Sequence, residues 1–260
     1  MDSLIKQKLR EIELEEQIRI LHAVESGSRA WGFASPDSDY DVRFIYVREP
    51  EFYLQLNKTR DVIEWQLDET LDINGWDLQK ALRLLIKSNP TLFEWASSPL
   101  VYLTTAEWAI INAYLPDYFL AKLGVYHYLS MAEKNYREYL KRDIVKVKKY
   151  LYVLRPILAC KWILRQQTPP PMLFSELVAS EANAELTKEI NRLLAIKVSV
   201  PEAGEMQRIE PLNDFIETTL PWLKAQADAL PGVKSKGYDE LNRLFIDTVN
   251  HRTMQPGEGI

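Results

Sequence analysis

Asp39 and Asp41 stand one residue apart at the mouth of the apolar run Val42-Arg43-Phe44-Ile45-Tyr46-Val47, and Gly27-Ser28 lies upstream in Gly27-Ser28-Arg29-Ala30-Trp31-Gly32. Side chains alternate across a strand, so a regular strand sends both carboxylates to one side and Tyr40 to the other. Two carboxylates one strand pitch apart repel each other and are costly to desolvate unless a cation lies between them. Mg²⁺ or Mn²⁺, hard ions that take oxygen ligands and bring substrate phosphates with them, suit that arrangement. The glycine and serine supply a tight turn whose backbone N–H groups and hydroxyl can face a phosphate. Phosphate on one side and metal on the other are the parts that transfer of a nucleotidyl group requires.

Around these residues the pattern predicts a short helix between two strands. Asp2 or Ser3 can cap a first helix, with Leu4, Ile5, Leu9, Ile12 and Ile18 at near-helical spacing. Residues 19–26 alternate as a strand running into Gly27, residues 28–33 form a short helix, and Ala34-Ser35-Pro36-Asp37-Ser38 is a turn. A strand over 41–47 follows, then a brief helix from Pro50, a third strand at 61–67 and a fourth at 70–73. From Gly75 the period becomes helical, with Leu78, Ala81, Leu82, Leu85 and Ile86 on one stripe, and a further short helix spans 90–96. The first hundred residues are therefore expected to form a small mixed sheet with flanking helices, an α/β (α+β) layer without the glycine fingerprints of Rossmann or Walker units.

Beyond Thr105 strand signals fade, and helices are expected near 105–113, 117–141, 143–166, 173–180, 183–197, 211–228 and 237–250. Pro169-Pro170-Pro171 and Leu230-Pro231-Gly232 break the series. The division implied is residues 1–104 for a catalytic domain and 105–260 for an all-helical domain. The polar last ten residues are expected to fray.

Composition narrows the class. A hydrophobic share of 47% with 27% charged residues is that of an ordinary soluble domain, and no run reaches the roughly 18 apolar residues of a membrane span. The charged N-terminus does not read as a signal peptide. A single cysteine, Cys160, rules out an internal disulfide and suits a reducing cytoplasm, and with three histidines it does not make up a zinc set. The net charge of −5 argues against a dedicated nucleic-acid coat, yet residues 133–165 hold ten Lys or Arg against three acidic side chains. That stretch is either a solvated helix face or a phosphate-facing surface.

The Gly27-Ser28 turn and the Asp39-x-Asp41 pair together resemble the signature of the nucleotidyltransferase superfamily typified by DNA polymerase β. The stretches Asp72-Ile-Asn-Gly-Trp-Asp-Leu-Gln-Lys and Ser88-Asn-Pro-Thr-Leu-Phe-Glu-Trp-Ala-Ser-Ser-Pro are similar to a bacterial branch of predicted nucleotidyltransferases, some members of which are described as RNA-ligase-associated. The signature covers about twenty residues, and the branch-level likeness runs through most of the first 165. This resemblance implies a third carboxylate on a neighbouring strand, for which Asp72 matches the branch pattern, with Asp68, Glu69 and Glu64 as runners-up. Asp72 can equally cap the helix that follows, and Asp77 reads as a first-turn residue favoured by the helix dipole.

Arg29 can hold a phosphate or pair with Asp37 or Asp39, and Arg43 faces the aspartates as a neutralising cation. In the helical part Lys148, Tyr152 and Arg155, spaced by four and three residues, fall on one helix face and can bind a triphosphate and stack on a base, or form a solvated face with a buried tyrosine. Trp31, Trp65, Trp76 and Trp95 read as core, His127 as packing and Cys160 as a buried small hydrophobe.

The expected reaction is transfer of a nucleoside monophosphate from a nucleoside triphosphate to an acceptor hydroxyl or amine, releasing pyrophosphate. Asp39 and Asp41 would bridge two Mg²⁺ ions, and Gly27 and Ser28 would anchor the terminal phosphates. An RNA 3′ end, a protein hydroxyl or a small molecule such as an aminoglycoside fits as acceptor. The alternative is a non-catalytic, antitoxin-like module that binds a nucleotide or a partner.

Overall fold

The computed structural model describes all 260 residues except 37, 58, 67–69, 200–203, 233 and 252–260, and for 66, 198 and 199 it describes the backbone alone. The expected strand over 61–67, the candidates Asp68 and Glu69, the Asp37 pairing and the polar tail fall wholly or partly outside the described residues. The chain divides into two compact units, residues 1–30, 39–118 and 235–260 in one and 31–38 with 119–234 in the other. This differs from the division at 104/105, because the last helix returns to the first unit and residues 31–38 leave it.

In the first unit, helix α1 (Asp2–Glu16) precedes strand β1 (Arg19–Glu25), the four-residue helix α2 (Gly27–Ala30) and strand β2 (Tyr40–Val47). A short helix α3 (Pro50–Tyr53) leads to strands β3 (Val62–Gln66) and β4 (Leu71–Asp77), then helices α4 (Leu78–Ile86) and α5 (Pro90–Ala96), strand β5 (Val101–Thr104) and helix α6 (Ala106–Tyr114). The five strands form one sheet in the order β3-β4-β2-β1-β5. Only the β2–β4 pair is parallel; the other three are antiparallel. The mixed α/β layer expected from the sequence is thus present.

Alternation decides which side of β2 is core. Val42, Phe44 and Tyr46 pack with Ile5, Leu9 and Ile12 of α1 and with Ile20, Ile63 and Ile73 in one buried cluster. Asp41 and Arg43 lie on the opposite side of the strand, with Ile45 and Val47. Strand β4 runs further than expected, to Asp77, because Gly75 and Trp76 continue its alternation. A Cβ on Gly75 would stand 2.2 Å from the Phe44 ring, so the glycine is what lets the ring of β2 cross the backbone of β4.

The second unit is helical. Helix α7 (Ala121–Asn135) ends in a wide turn over Tyr136–Leu140, and α8 (Val147–Gln166), α9 (Phe174–Glu181), α10 (Ala184–Ser199) and α11 (Glu210–Ala229) follow. These match the expected helices within a few residues. The sequence reading missed a two-stranded ribbon of β6 (Ile144–Lys146) with β7 (Glu205–Gln207), whose three-residue strands are too short to show a period. Tyr128, Tyr150, Leu154, Ile157, Leu177, Ile190 and Ile216 centre its core. Cys160 is fully buried there, as expected, its Sγ 3.4 Å from the Val125 carbonyl. The final helix, α12 (Asp239–Val249), buries Leu241, Leu244 and Val249 and belongs to the first unit.

Candidate active site

Strand β1 is buried almost throughout and closes on Glu25, whose neighbour Ser26 donates its N–H to the Asp41 carbonyl at 2.8 Å. The chain then turns at Gly27, which holds φ +60°, a left-handed conformation that a side chain resists. A Cβ there would lie 2.0 Å from Asp41 Oδ2. The glycine therefore serves the bend and also admits the carboxylate against the backbone. Ser28 is buried just beyond, at the start of α2.

Parallel pairing of β2 with β4 sets Asp41 directly opposite Asp72. Arg43, two residues along β2, closes the group. Its Nη2 donates to Asp41 Oδ1 at 2.7 Å and to Asp72 Oδ2 at 2.8 Å, while Nη1 donates to the carbonyls of Val42 and Asp72 at 3.0 and 3.1 Å. The expectation of Arg43 as a neutralising cation holds, with a specific geometry. Asp72 lies near the start of β4 rather than at its end, so it is not the cap of the following helix. Asp77 holds that place, its Oδ1 accepting the Gln79 N–H at 2.7 Å and its Oδ2 the Tyr53 hydroxyl at 2.9 Å. Burial pushes the Asp77 carboxyl up to about 6.

Asp39 departs from the expected geometry. Strand β2 begins at Tyr40, so Asp39 precedes it, exposed, and strand alternation does not govern its side chain. Its backbone carbonyl accepts from Arg29 Nε at 2.9 Å, and the Arg29 guanidinium lies 3.7 Å over the Tyr40 ring. Arg29 thus fastens α2 to the start of β2. Glu64, a runner-up for the third carboxylate, pairs with Arg60 at 2.6 Å and lies opposite Asn74 in the register, not opposite Asp72.

The sequence reading did not single out Glu25. It is fully buried, its Oε1 accepting the Asp41 backbone N–H at 2.9 Å and its Oε2 accepting the Tyr102 hydroxyl. Burial pushes its carboxyl up despite both donors. The available signal was an acidic residue ending an otherwise apolar strand. Tyr102 sits in β5, which the periodicity did not reveal.

In the second unit, the proposed face of α8 separates. Lys148 and Tyr152 are half-buried, but Arg155 is 2% exposed, its Nη2 3.4 Å from the Met172 carbonyl and its guanidinium 4.6 Å over the Trp31 ring. A cation enclosed this way is a packing group of the helical core, because Pro156 and its neighbours bury that face. Of the tryptophans, Trp95 is buried against Trp76 with ring centroids 4.1 Å apart, and Trp31 and Trp65 are half-buried.

Among the described residues no group of three or more His, Cys, Asp or Glu side chains is arranged to hold a metal. Two carboxylates do converge on one cationic atom, Arg43 Nη2. Two hard oxygen donors on a shared positive centre are a donor set that suits Mg²⁺ or Mn²⁺, with water and phosphate as further ligands. No described helix is long and apolar enough to cross a membrane.

The chain is similar to known proteins over most of its length. Residues 1–247 match the family RlaP, described as "RNA repair pathway DNA polymerase beta family". The chain is 46% identical over 253 residues to "Uncharacterized protein YcgL" of Bacillus subtilis (strain 168), covering 96% of each chain. It is also similar to the crystal structure of a nucleotidyltransferase-like protein from Exiguobacterium sibiricum 255-15, at 14% identity and a TM-score of 0.33, over 86% of this chain and 75% of that one.

Proposed function

The chain belongs to the RlaP family of DNA polymerase β type, and from that membership we propose that it is a divalent-metal-dependent nucleotidyltransferase. It moves a nucleoside monophosphate from a nucleoside triphosphate to an acceptor hydroxyl and releases pyrophosphate. The observation that carries this reading is the register that sets Asp41 opposite Asp72 while Asp41 leans on the Gly27 bend.

Asp41 and Asp72 would hold the divalent cation, with Asp39 as the third carboxylate at the edge of β2. Such an ion lowers the pKa of an attacking hydroxyl and offsets the charge of the triphosphate. The chain's own part is positioning. Glu25 and Ser26 hold the Asp41 backbone from the β1 side, so its carboxylate keeps one direction without paying for rearrangement at the moment of reaction. Gly27 and Ser28 present a bend to phosphate oxygens, and Arg29 keeps that bend fixed to Tyr40. Lys148 and Tyr152 are candidates for phosphate and base contact by their chemistry alone. The family's description as an RNA repair pathway group supports an RNA end as the acceptor.

The test is to supply four α-labelled triphosphates, Mg²⁺ or Mn²⁺ and RNA carrying a free 3′ hydroxyl, then follow label transfer and pyrophosphate release. Asp41→Asn and Asp72→Asn are each expected to lower transfer by roughly three orders of magnitude. Metal-dependent transfer that survives the double substitution overturns the reading.

A further inference from the structure

Arg43 stands where the two carboxylates meet, and its four hydrogen bonds are of two kinds. Nη2 is shared by Asp41 Oδ1 and Asp72 Oδ2, whereas Nη1 holds only backbone carbonyls, those of Val42 and Asp72. The arginine side chain is 17% exposed, and the two carboxylates are 25% and 49% exposed, so the group is reachable from solvent. We propose that Arg43 is a built-in competitor of the divalent ion: its Nη2 occupies the point that the ion needs, and metal loading proceeds by displacing it.

This inference rests on the metal-dependent reading above. It goes beyond that reading by giving Arg43 a role that no neutralising cation on the rim would have. A divalent ion bonded to a carboxylate oxygen sits about 2.1 Å from it. The nitrogen already lies at hydrogen-bond distance from the same two oxygens, so the two cations exclude each other by volume and by like charge. Without a cation between them, two carboxylates opposite each other in a parallel register would repel and loosen the β2–β4 pair, and Arg43 prevents that. A single positive charge leaves one negative charge uncompensated, and a divalent ion balances both, which gives displacement its driving force. Nη1 keeps its two carbonyl acceptors, so the guanidinium can pivot about that edge without losing every partner. The device keeps the strand pair closed without metal and sets a threshold concentration for loading.

The experiment measures Mn²⁺ binding to the full chain by paramagnetic resonance and calorimetry, without substrate, for the wild type, Arg43→Gln, Arg43→Lys and Asp41→Asn. Removing the competitor is expected to tighten Mn²⁺ binding roughly tenfold in Arg43→Gln, within the usual range of coupling between linked sites. Arg43→Lys should fall between it and the wild type, and Asp41→Asn should lose the site. In the wild type, the arginine Nε–H resonance assigned to Arg43 by its loss in the lysine variant is expected to shift on adding Mg²⁺, a readout that holds even if Arg43→Gln fails to fold. Equal or weaker Mn²⁺ binding in folded Arg43→Gln, or an Arg43 resonance unmoved while the wild type binds metal, overturns this inference and leaves the nucleotidyltransferase reading standing. Absence of Mn²⁺ binding at the aspartates in every protein overturns both.

Discussion

Gly27 shows how tightly the Asp41 carboxylate is placed. Its positive φ and the 2.0 Å gap that a Cβ would leave to Asp41 Oδ2 are two independent demands on one residue. Gly27→Ala is therefore expected to cost about 1–3 kcal/mol of stability from the backbone alone. It should also push the Asp41 carboxylate off its place, so that Mn²⁺ affinity falls more than the loss of stability explains; calorimetry beside thermal denaturation separates the two effects. Glu25 behaves differently, because it touches Asp41 through the backbone rather than the carboxylate. Burial raises its carboxyl above the unfolded value, so its contribution is fully present below that value and is lost as pH rises through the folded one. Glu25→Gln keeps an acceptor for the Asp41 N–H and is expected to flatten this loss in acid-to-neutral melting curves while leaving the fold intact.

Strands and helices set where those atoms stand. Asp72 reaches Asp41 only because β4 runs parallel to β2 in the observed register, and Gly75 permits that register by making room for Phe44. Gly75→Ala is expected to destabilise the sheet by about 1–3 kcal/mol through overpacking and to weaken Mn²⁺ binding, though it lies three residues from Asp72. On the other side of β2, β1 meets α6 through the His22 ring, stacked on Trp108 with centroids 4.6 Å apart. Burial pulls His22 down to about 4. A folded value below the unfolded one means the unfolded chain takes the proton first as pH falls. The stabilising contribution is thus present above about 6.5 and is lost toward about 4, on the order of 3 kcal/mol in all. Asp77, raised to about 6, has the opposite slope, losing its contribution as pH rises through that value. Melting curves of His22→Phe, which keeps the stack, should lose the fall toward low pH and keep the slope that Asp77 and Glu25 share.

Across the whole molecule, the chain leaves the first unit after Tyr118 and returns to it at Ser235. Helix α12 brings Leu241, Leu244 and Val249 into burial, with Phe245 edge-on to Tyr53 at 5.0 Å and the Thr248 carbonyl accepting from Arg19 at 3.1 Å. Each buried aliphatic side chain is worth about 1.5–3 kcal/mol. A chain ending at residue 234 is expected to leave the first unit unable to hold its fold, seen as rapid proteolysis within residues 1–118 and loss of cooperative melting. A division of the protein at 104/105 would miss this dependence.

The strands and helices that bury a regular stripe are legible in the sequence itself, because burial imposes its period on it: β1, β2, α4 and the long described helices after residue 105 show it. So is the nearness of the Gly27 turn to Asp41, to which the resemblance to a family signature pointed. Tertiary structure alone decided the rest. Pairing register is a relation between distant segments: it set Asp72 rather than Glu64 opposite Asp41, gave the helix cap to Asp77, joined Arg43 to Asp72 as well as Asp41 and put Glu25 beneath Asp41. Burial of a cation depends on what surrounds it in three dimensions, which is why Arg155, on the same predicted face as Lys148 and Tyr152, lies in the core.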